Sequence, residues 1–288
     1  MREKALLTGL AVLALGSACT AEPARNEDSN ITGKPAALSL TRLDCGAIRV
    51  KNFDSFFSDR PGLYAAEARD VTDSCYLIRH GDELLLWDTG VDAALKGGSF
   101  DTGAMVLSLK TTLAEQLDQL GLKPADVAIV GISHGHGDHL GQAAQFPAAR
   151  LIIGDQDFEF AQKPGRPGGP NPIAPWTGDA AKVTRVTADL DIFGDGSVVA
   201  LRTAGHTPDH LALLVNLASG PVLLSGDLYH STEAREKRGV PPFNTSREQT
   251  LQSMDAFEAK AEELGAKVII QHEPADIAKL PAFPKAAE

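Results

Sequence analysis

The chain has 288 residues, of which 43% are hydrophobic, and a formal net charge of -11. This length and hydrophobic fraction support a large globular core and exclude an intrinsically disordered chain. The acidic balance argues against a nucleic-acid partner, because phosphate binding needs a basic stripe and the densest basic segment is the mixed Arg235-Glu236-Lys237-Arg238.

The N-terminus has the pattern of an export signal. Arg2 and Lys4 precede an apolar run at residues 5–15, which is too short to span a bilayer permanently. We therefore predict a signal peptide at residues 1–18 and an exported protein, with a flexible tether at residues 19–33.

Cys19 would be the first residue of the mature chain. Its position resembles that of the lipidated cysteine in bacterial lipoproteins, although Gly16 stands where their motif usually has leucine. The sequence therefore leaves open a membrane tether through a lipid on Cys19, a free periplasmic protein and a secreted protein.

Strand-like and helix-like segments alternate through residues 34–288, which we predict to form a single domain. The expected strands lie at residues 37–43, 75–80, 84–87, 126–132, 151–153, 198–202, 211–217, 222–224 and 267–270. One helix is expected from Leu113 to Leu120 and another from Arg247 to Leu264. Strand-rich halves that each supply helices predict an α/β fold of four layers, with two sheets packed face to face and helices outside.

Two local features of this domain have alternative interpretations. Cys45 and Cys75 could pair in an oxidising compartment or remain two buried thiols. The segment at residues 163–178 is rich in proline and glycine, which predicts a long ordered loop. Its Trp176 could cover an active-site mouth or anchor the loop to the core.

The run from Ser133 to His139 is the strongest functional signal in the chain. Between a buried strand and an apolar segment it places three imidazoles and one carboxylate, which belong to His134, His136, His139 and Asp138. Gly135 and Gly137 are expected to let the loop turn without φ/ψ strain. Neutral imidazole and carboxylate are ligands for zinc and similar divalent ions, so the run predicts a metal site.

Three further segments place a candidate ligand directly after a strand-like run. They are Gly205-His206-Thr207, Gly226-Asp227 and Gln271-His272. Together with the histidine-rich run, they give a set of ligands that suits two ions sharing one carboxylate, with a position left for water.

From about Leu40 to Glu273 the chain resembles the metallo-β-lactamase superfamily. The resemblance rests on this ligand set and on Asp88-Thr89-Gly90, which matches the early aspartate that follows a strand in the superfamily. It implies the αββα metallo-β-lactamase sandwich and two divalent metal ions. One ion would be held by His134, His136 and His206, the other by Asp138, His139 and His272, with Asp227 as the bridge.

Residues around the ligands also receive expected roles. By the resemblance, Asp88 would accept a hydrogen bond from a ligand imidazole and fix its tautomer. His210 matches a second histidine of the superfamily and is expected to be structural. His80 directly precedes Gly81-Asp82, and this position predicts that it flanks a hairpin turn.

Departures from other superfamily members favour lactone hydrolysis. Superfamily β-lactamases generally lack the bridging aspartate, and the short tail after His272 leaves no room for the helical domain of glyoxalase II enzymes. The acidic charge argues against the superfamily nucleases. The chain is most similar to the N-acyl homoserine lactone lactonases, in segments 43–46, 75–80, 87–90, 243–244 and 271–272.

The expected reaction is metal-assisted opening of an N-acyl homoserine lactone ring, the chemistry of quorum quenching. Hydroxide made available by two ions, zinc or else iron, manganese or cobalt, would attack the lactone carbonyl. Asp138 would carry the proton, and Tyr229 or His230 would donate a hydrogen bond to the carbonyl, with a packing role equally open for both. Phosphotriester or broad ester hydrolysis and a mononuclear iron oxygenase are the alternatives, and acyl-chain preference and oligomeric state stay open.

Overall fold

The structure is a computed structural model that describes residues 37–162 and 171–288. These residues belong to one compact unit. The predicted signal peptide, the tether with Cys19, and residues 163–170 of the proline-rich segment lie outside the described residues. Within the described ranges, no helix has both the length and the apolar character needed to cross a bilayer.

Strands and helices alternate along the described residues. The strands are β1 (Leu38–Val50), β2 (Arg69–His80), β3 (Glu83–Trp87), β4 (Ser99–Asp101), β5 (Met105–Ser108), β6 (Ile129–Gly131), β7 (Arg150–Gly154), β8 (Val183–Val186), β9 (Leu190–Asp191), β10 (Val198–Arg202), β11 (Leu211–Leu217), β12 (Gly220–Leu224) and β13 (Lys267–Ile269). The helices are α1 (Phe53–Phe57), α2 (Leu113–Gln119), α3 (Gly137–Leu140), α4 (Asp155–Ala161), α5 (Thr232–Lys237), α6 (Arg247–Leu264) and α7 (Pro274–Ile277).

The strands form two sheets whose edges meet. One sheet has eight strands in the order β4, β5, β1, β2, β3, β6, β7, β8, and the other has five in the order β13, β12, β11, β10, β9. β3 runs parallel to β6, and β12 runs parallel to β13, so the segments that follow each pair leave at one edge of their sheet. The backbone N–H of Leu211 donates to the carbonyl of Ser133 at 2.8 Å and joins the two edges.

Three apolar clusters identify the layers. The first lies between the sheets and contains Trp87 from the larger sheet and Leu213 from the smaller one. The second covers the outer face of the larger sheet under Leu113 and Leu117 of α2. The third covers the outer face of the smaller sheet under Phe257 of α6. This order of helix, sheet, sheet and helix confirms the predicted four-layer sandwich.

β1 extends well beyond its expected end, to Val50. A register shift between Asp44 and Gly46 keeps β1 paired with β2 past this point. Beside the shift, Cys45 and Cys75 form a disulfide with Cα atoms 5.7 Å apart, and both side chains are buried. The structure therefore selects pairing from the two interpretations of these cysteines.

Trp176 and His80 both have structural roles. The indole N–H of Trp176 donates to the carbonyl of Ala149 at 2.7 Å, and the ring is buried in the cluster beneath α2. Trp176 therefore anchors its loop to the core, and its interpretation as an active-site cover is wrong. His80 ends β2 immediately before the turn into β3, which confirms its expected place at a hairpin.

Candidate metal centre

The candidate ligands come from loops at the facing edges of the two sheets. The histidine-rich run follows β6, His206 follows β10, Asp227 follows β12 and His272 follows β13. The structure brings all of the predicted ligands into two groups, and within each group the ligand atoms lie within 4.8 Å of one another. Group A is His134, His136, His206 and Asp227, and group B is Asp138, His139 and His272.

In group A, hydrogen bonds to outer partners fix the tautomers of two imidazoles. His134 donates its Nδ1–H to the hydroxyl of Ser133 at 3.1 Å, because that hydroxyl gives its own proton to Asp88. His206 donates its Nδ1–H to Oδ1 of Asn244 at 2.9 Å. In the neutral rings, both Nε2 atoms therefore carry lone pairs that point into the group.

These lone pairs fit a divalent cation. Nε2 of His206 lies 3.1 Å from Nε2 of His134 and 3.0 Å from Nδ1 of His136. The two Nε2 atoms have no proton between them, so they repel each other, and a cation between them removes the repulsion. Three converging imidazole nitrogens are a donor set that zinc prefers.

Asp227 links group A to group B. Its Oδ2 lies 3.4 Å from Nε2 of His206, and its Oδ1 lies 2.9 Å from Nε2 of His272 and 3.2 Å from Nε2 of His139. The buried Oδ1 of Asp227 and Nε2 of His139 have no well-aligned hydrogen-bond partner among the described residues. Because buried polar atoms are nearly always satisfied, these two atoms are a second indication that cations bind here.

Without a bound cation, the two groups would differ in protonation. Burial lowers the pKa of all three imidazoles of group A. Burial acts the same way in group B, but the nearby carboxylates, chiefly Asp227, together outweigh it. They raise the pKa of His139 well above its usual range and that of His272 to about 9. At neutral pH, the imidazoles of group A are therefore neutral and those of group B carry protons.

Asp88 supports group B through Nδ1 of His139, the ring nitrogen that points away from the other ligands. It is a non-glycine residue with φ of 58°, a strained conformation that is typical of functional sites. Its Oδ2 accepts hydrogen bonds from Nδ1 of His139 at 3.0 Å, from Ser133 at 2.8 Å and from Nε2 of Gln271 at 3.0 Å. The expected role of Asp88 in fixing the tautomer of a ligand is confirmed.

His210 has the structural role that was expected. Its Nε2 accepts the backbone N–H of Asp227 at 3.0 Å, so its proton lies on Nδ1, which donates to the hydroxyl of Thr203 at 2.8 Å. Burial lowers the pKa of His210 to about 4 and keeps the ring neutral. His210 thus fixes the backbone of the linking carboxylate without joining either group.

Tyr229 and His230 point in opposite directions. Tyr229 follows a 3₁₀ turn at Gly226–Leu228 in an extended conformation, in which successive side chains alternate. The side chain of Tyr229 is buried against α6, and its hydroxyl donates a hydrogen bond to Glu258 at 2.8 Å. The prediction that Tyr229 contacts the substrate is therefore wrong. His230 faces the ligands, with Nε2 3.1 Å from Oδ2 of Asp227.

The glycines of the histidine-rich run do not serve the expected purpose. Neither Gly135 nor Gly137 has a positive φ, so relief of backbone strain does not explain them. A Cβ at Gly135 would lie 2.8 Å from Cδ1 of Phe160 and 3.3 Å from Oδ1 of Asp157. Gly135 is required because α4 packs directly against the run.

Asn244 is an outer partner whose role sequence reasoning missed. Its Nδ2 donates to the hydroxyl of Thr250 at 3.1 Å, and that hydroxyl donates to the carbonyl of Ser246 at 2.7 Å. These bonds orient the amide so that Oδ1 faces His206. The available signals were the resemblance at segment 243–244 and Ser246 as the N-cap of α6, which places the residues just before it at the start of a helix.

A cavity of about 390 Å³ opens beside the two groups. Its ligand side is formed by His136, Asp138, Asp227 and His272, together with His230. The rest of its wall is apolar and consists of Ile48, Phe56, Phe57, Val71, Met105 and Phe243. A cavity built in this way suits a small molecule with a polar reacting group and an apolar tail.

Residues 69–272 match the metallo-beta-lactamase superfamily. Curated relatives include proteins named N-acyl homoserine lactonase AttM. The one from Rhizobium radiobacter is 32% identical over 201 residues, which cover 65% of this chain and 74% of the relative. The one from Rhizobium johnstonii is 31% identical over 218 residues, which cover 69% of this chain and 81% of the relative.

Solved structures share the architecture. An N-acyl homoserine lactone hydrolase with N-hexanoyl-L-homoserine bound at its metal centre gives a TM-score of 0.73 at 20% identity, covering 88% of this chain and 100% of that chain. AidC, a dizinc quorum-quenching lactonase, gives a TM-score of 0.63 at 18% identity, covering 88% of this chain and 90% of that chain. At these identities the likeness concerns the fold alone. The family match, the relatives, the αββα layers and the ligand loops together show that this chain belongs to the metallo-β-lactamase superfamily.

Proposed function

We propose that this protein is a two-metal hydrolase that opens the ring of N-acyl homoserine lactones, with zinc as its metal. The observation that carries the proposal is the carboxylate of Asp227, which presents one oxygen to each ligand group. A carboxylate placed in this way can hold two ions side by side. The lactonases among the relatives support the substrate class.

The cavity suits the two ends of an acylated lactone. The lactone would lie at the ligand wall beside Asp138 and Asp227, and the acyl tail would lie along the apolar wall, where Phe57 and Val71 are found. Each buried methylene contributes about 0.8 kcal/mol. We therefore expect catalytic efficiency to rise with chain length until the cavity is filled.

Two side chains besides the ligand imidazoles have catalytic roles in this proposal. Bound divalent ions would polarise the lactone carbonyl and lower the pKa of a water molecule to about 7. Asp138 is only partly buried in the cavity wall, where it can accept a proton from the attacking water and return it to the leaving alkoxide. His230 lines the same wall, and its Nε2 lies 3.1 Å from Oδ2 of Asp227. Once that oxygen holds an ion, the Nε2–H would be available to donate to the lactone carbonyl.

The test is a pH-stat assay on the mature protein, because ring opening releases acid. We expect hydrolysis of N-acyl homoserine lactones, with rates that rise from butanoyl to longer acyl chains, loss of activity after chelation, and recovery with zinc. A phosphotriester such as paraoxon is the comparison substrate. Faster hydrolysis of paraoxon than of every acyl lactone would contradict the proposed substrate, and a single tightly bound iron would favour the oxygenase alternative.

We also propose that the protein is exported. The pattern of Arg2, Lys4 and the apolar run supports export, and so does the disulfide between Cys45 and Cys75, because disulfides persist in oxidising compartments. Cell fractionation, with a labelled fatty acid to detect a lipid on Cys19, tests the location. Recovery of the uncleaved chain in the cytoplasm would contradict it.

A further inference from the structure

Asp157 on α4 contacts both loops that carry the histidines of group A. Its Oδ1 accepts the backbone N–H of Gly135 at 2.8 Å, and Gly135 separates the first two histidines of the group. Its Oδ2 accepts the hydroxyl proton of Thr207 at 2.9 Å and the backbone N–H of Asp209 at 3.1 Å. Thr207 directly follows His206, the third histidine of the group. The carboxylate of Asp157 therefore hydrogen-bonds to a chain neighbour of each of the three histidines.

The two loops belong to different sheets. Gly135 follows β6 of the larger sheet, and Thr207 follows β10 of the smaller sheet, so strand pairing within either sheet does not set the distance between them. The start of α4 fills the space between the loops, since a Cβ at Gly154 would lie 2.3 Å from the carbonyl oxygen of Asp209. Asp157 is fully buried there, with a relative exposure of 0%.

Group B is held together by other residues. His272 donates its Nδ1–H to the carbonyl of Thr72 at 2.7 Å, and the hydroxyl of Thr72 donates to the carbonyl of Gln271 at 3.1 Å. Gln271 and His139 both donate to Asp88. None of the hydrogen bonds of Asp157 reaches these residues.

We propose that Asp157 is a positioning residue for group A alone. It fixes the loop of His134 and His136 relative to the loop of His206, and in this way it sets the affinity of group A for a divalent cation. The inference rests on the proposed function only in requiring that each group binds its own ion.

Asp157→Asn is the main test because it keeps the shape of the side chain. The asparagine amide has one acceptor oxygen and one NH₂ donor group. In either orientation the NH₂ group faces the donors of one loop, so that loop loses its hydrogen-bond acceptor. Loss of an outer partner of this kind typically lowers metal affinity about 10- to 100-fold, and we expect that loss in group A only.

Single-group backgrounds allow the two affinities to be measured separately, without an activity assay. His272→Ala weakens group B and leaves group A, and His206→Ala does the reverse. Cobalt(II) is titrated into chelator-treated protein and followed by its visible absorption bands. We expect Asp157→Asn to weaken cobalt binding about 10- to 100-fold in the His272→Ala background and to leave the His206→Ala background unchanged.

Two controls separate positioning from general destabilisation. Thr207→Val removes one of the three hydrogen bonds, so it should weaken group A less than Asp157→Asn does, and Thr207→Ser should restore wild-type binding. Trp176→Phe removes a buried hydrogen bond outside the ligand loops, and it should lower the melting temperature without changing cobalt affinity.

If Asp157→Asn weakens cobalt binding equally in both backgrounds, the inference is overturned. Unchanged binding in both would also overturn it, as would a loss from group A in Trp176→Phe as large as that in Asp157→Asn. If neither background binds cobalt before Asp157 is changed, the two-metal function fails and this inference fails with it.

Discussion

Group A and group B use similar ligands but differ in the residues that stand behind them. The outer partners of group A are neutral, namely the hydroxyl of Ser133 and the amide of Asn244. In group B, His139 donates instead to the carboxylate of Asp88. A carboxylate partner makes an imidazole more basic, so neighbouring sites with similar ligands can differ in cation affinity and in proton release.

Removal of the carboxylate shared by the two groups should have the largest effect. We expect Asp227→Ala to lower kcat/KM for an acyl lactone about a thousandfold, because charge stabilisation by the bound ions is worth several kcal/mol. Metal analysis should find fewer than two ions per chain, and circular dichroism should show a folded protein. A variant that keeps two ions and more than about a tenth of the activity would show that Asp227 does not link the groups.

Two substitutions of outer partners should change the cation affinities in opposite directions, one in each group. Asp88→Asn removes the carboxylate behind His139 and should lower the cobalt affinity of group B about 10- to 100-fold. Group A should lose less, because Asp88 reaches His134 only through Ser133. Asn244→Asp gives His206 a carboxylate partner and should raise the affinity of group A by a smaller factor. Titrations in the single-group backgrounds measure both changes, and equal effects of Asp88→Asn on the two groups would remove the proposed difference.

The pH dependence of cobalt binding should distinguish the groups further. His272 has its pKa raised to about 9, so a proton must leave before a cation can bind at lower pH. The affinity of group B should therefore rise with pH up to about 9, by about tenfold per unit for each proton displaced. Group A, whose imidazoles have lowered pKa values, should change little between about pH 7 and 8. Parallel slopes for both groups would contradict this.

Tyr229→Phe should have the smallest effect on catalysis. Because the hydroxyl of Tyr229 bonds to Glu258 on the outer layer, kcat/KM should stay within about twofold of wild type. The free energy of unfolding should fall by about 1 kcal/mol, the typical value of one hydrogen bond, which chemical denaturation can measure. His230→Phe is the matched change on the cavity side and should lower kcat instead.

The ligands could be predicted from sequence because each follows a buried strand. The direction of Tyr229 could not, since it depends on the 3₁₀ turn before it rather than on its distance from Asp227. The outer partners were also beyond sequence reasoning. Asp157 lies 22 positions from Gly135 and Asn244 lies 38 positions from His206, so only the packing of α4 and α6 reveals their contacts.

The disulfide has a consequence for the preparation of the protein. Cys45 packs against the turn that contains Asp88. Val91 donates its backbone N–H to the carbonyl of Cys45 at 3.1 Å, and a Cβ on Gly90 would lie 2.4 Å from Cβ of Cys45. Closure over a 30-residue separation contributes about 3 to 4 kcal/mol in the chain-entropy treatment. Because the folded layers bury both sulfurs, an oxidant reaches them most readily before the chain has folded. We therefore expect recombinant material from a reducing host to lack this covalent support.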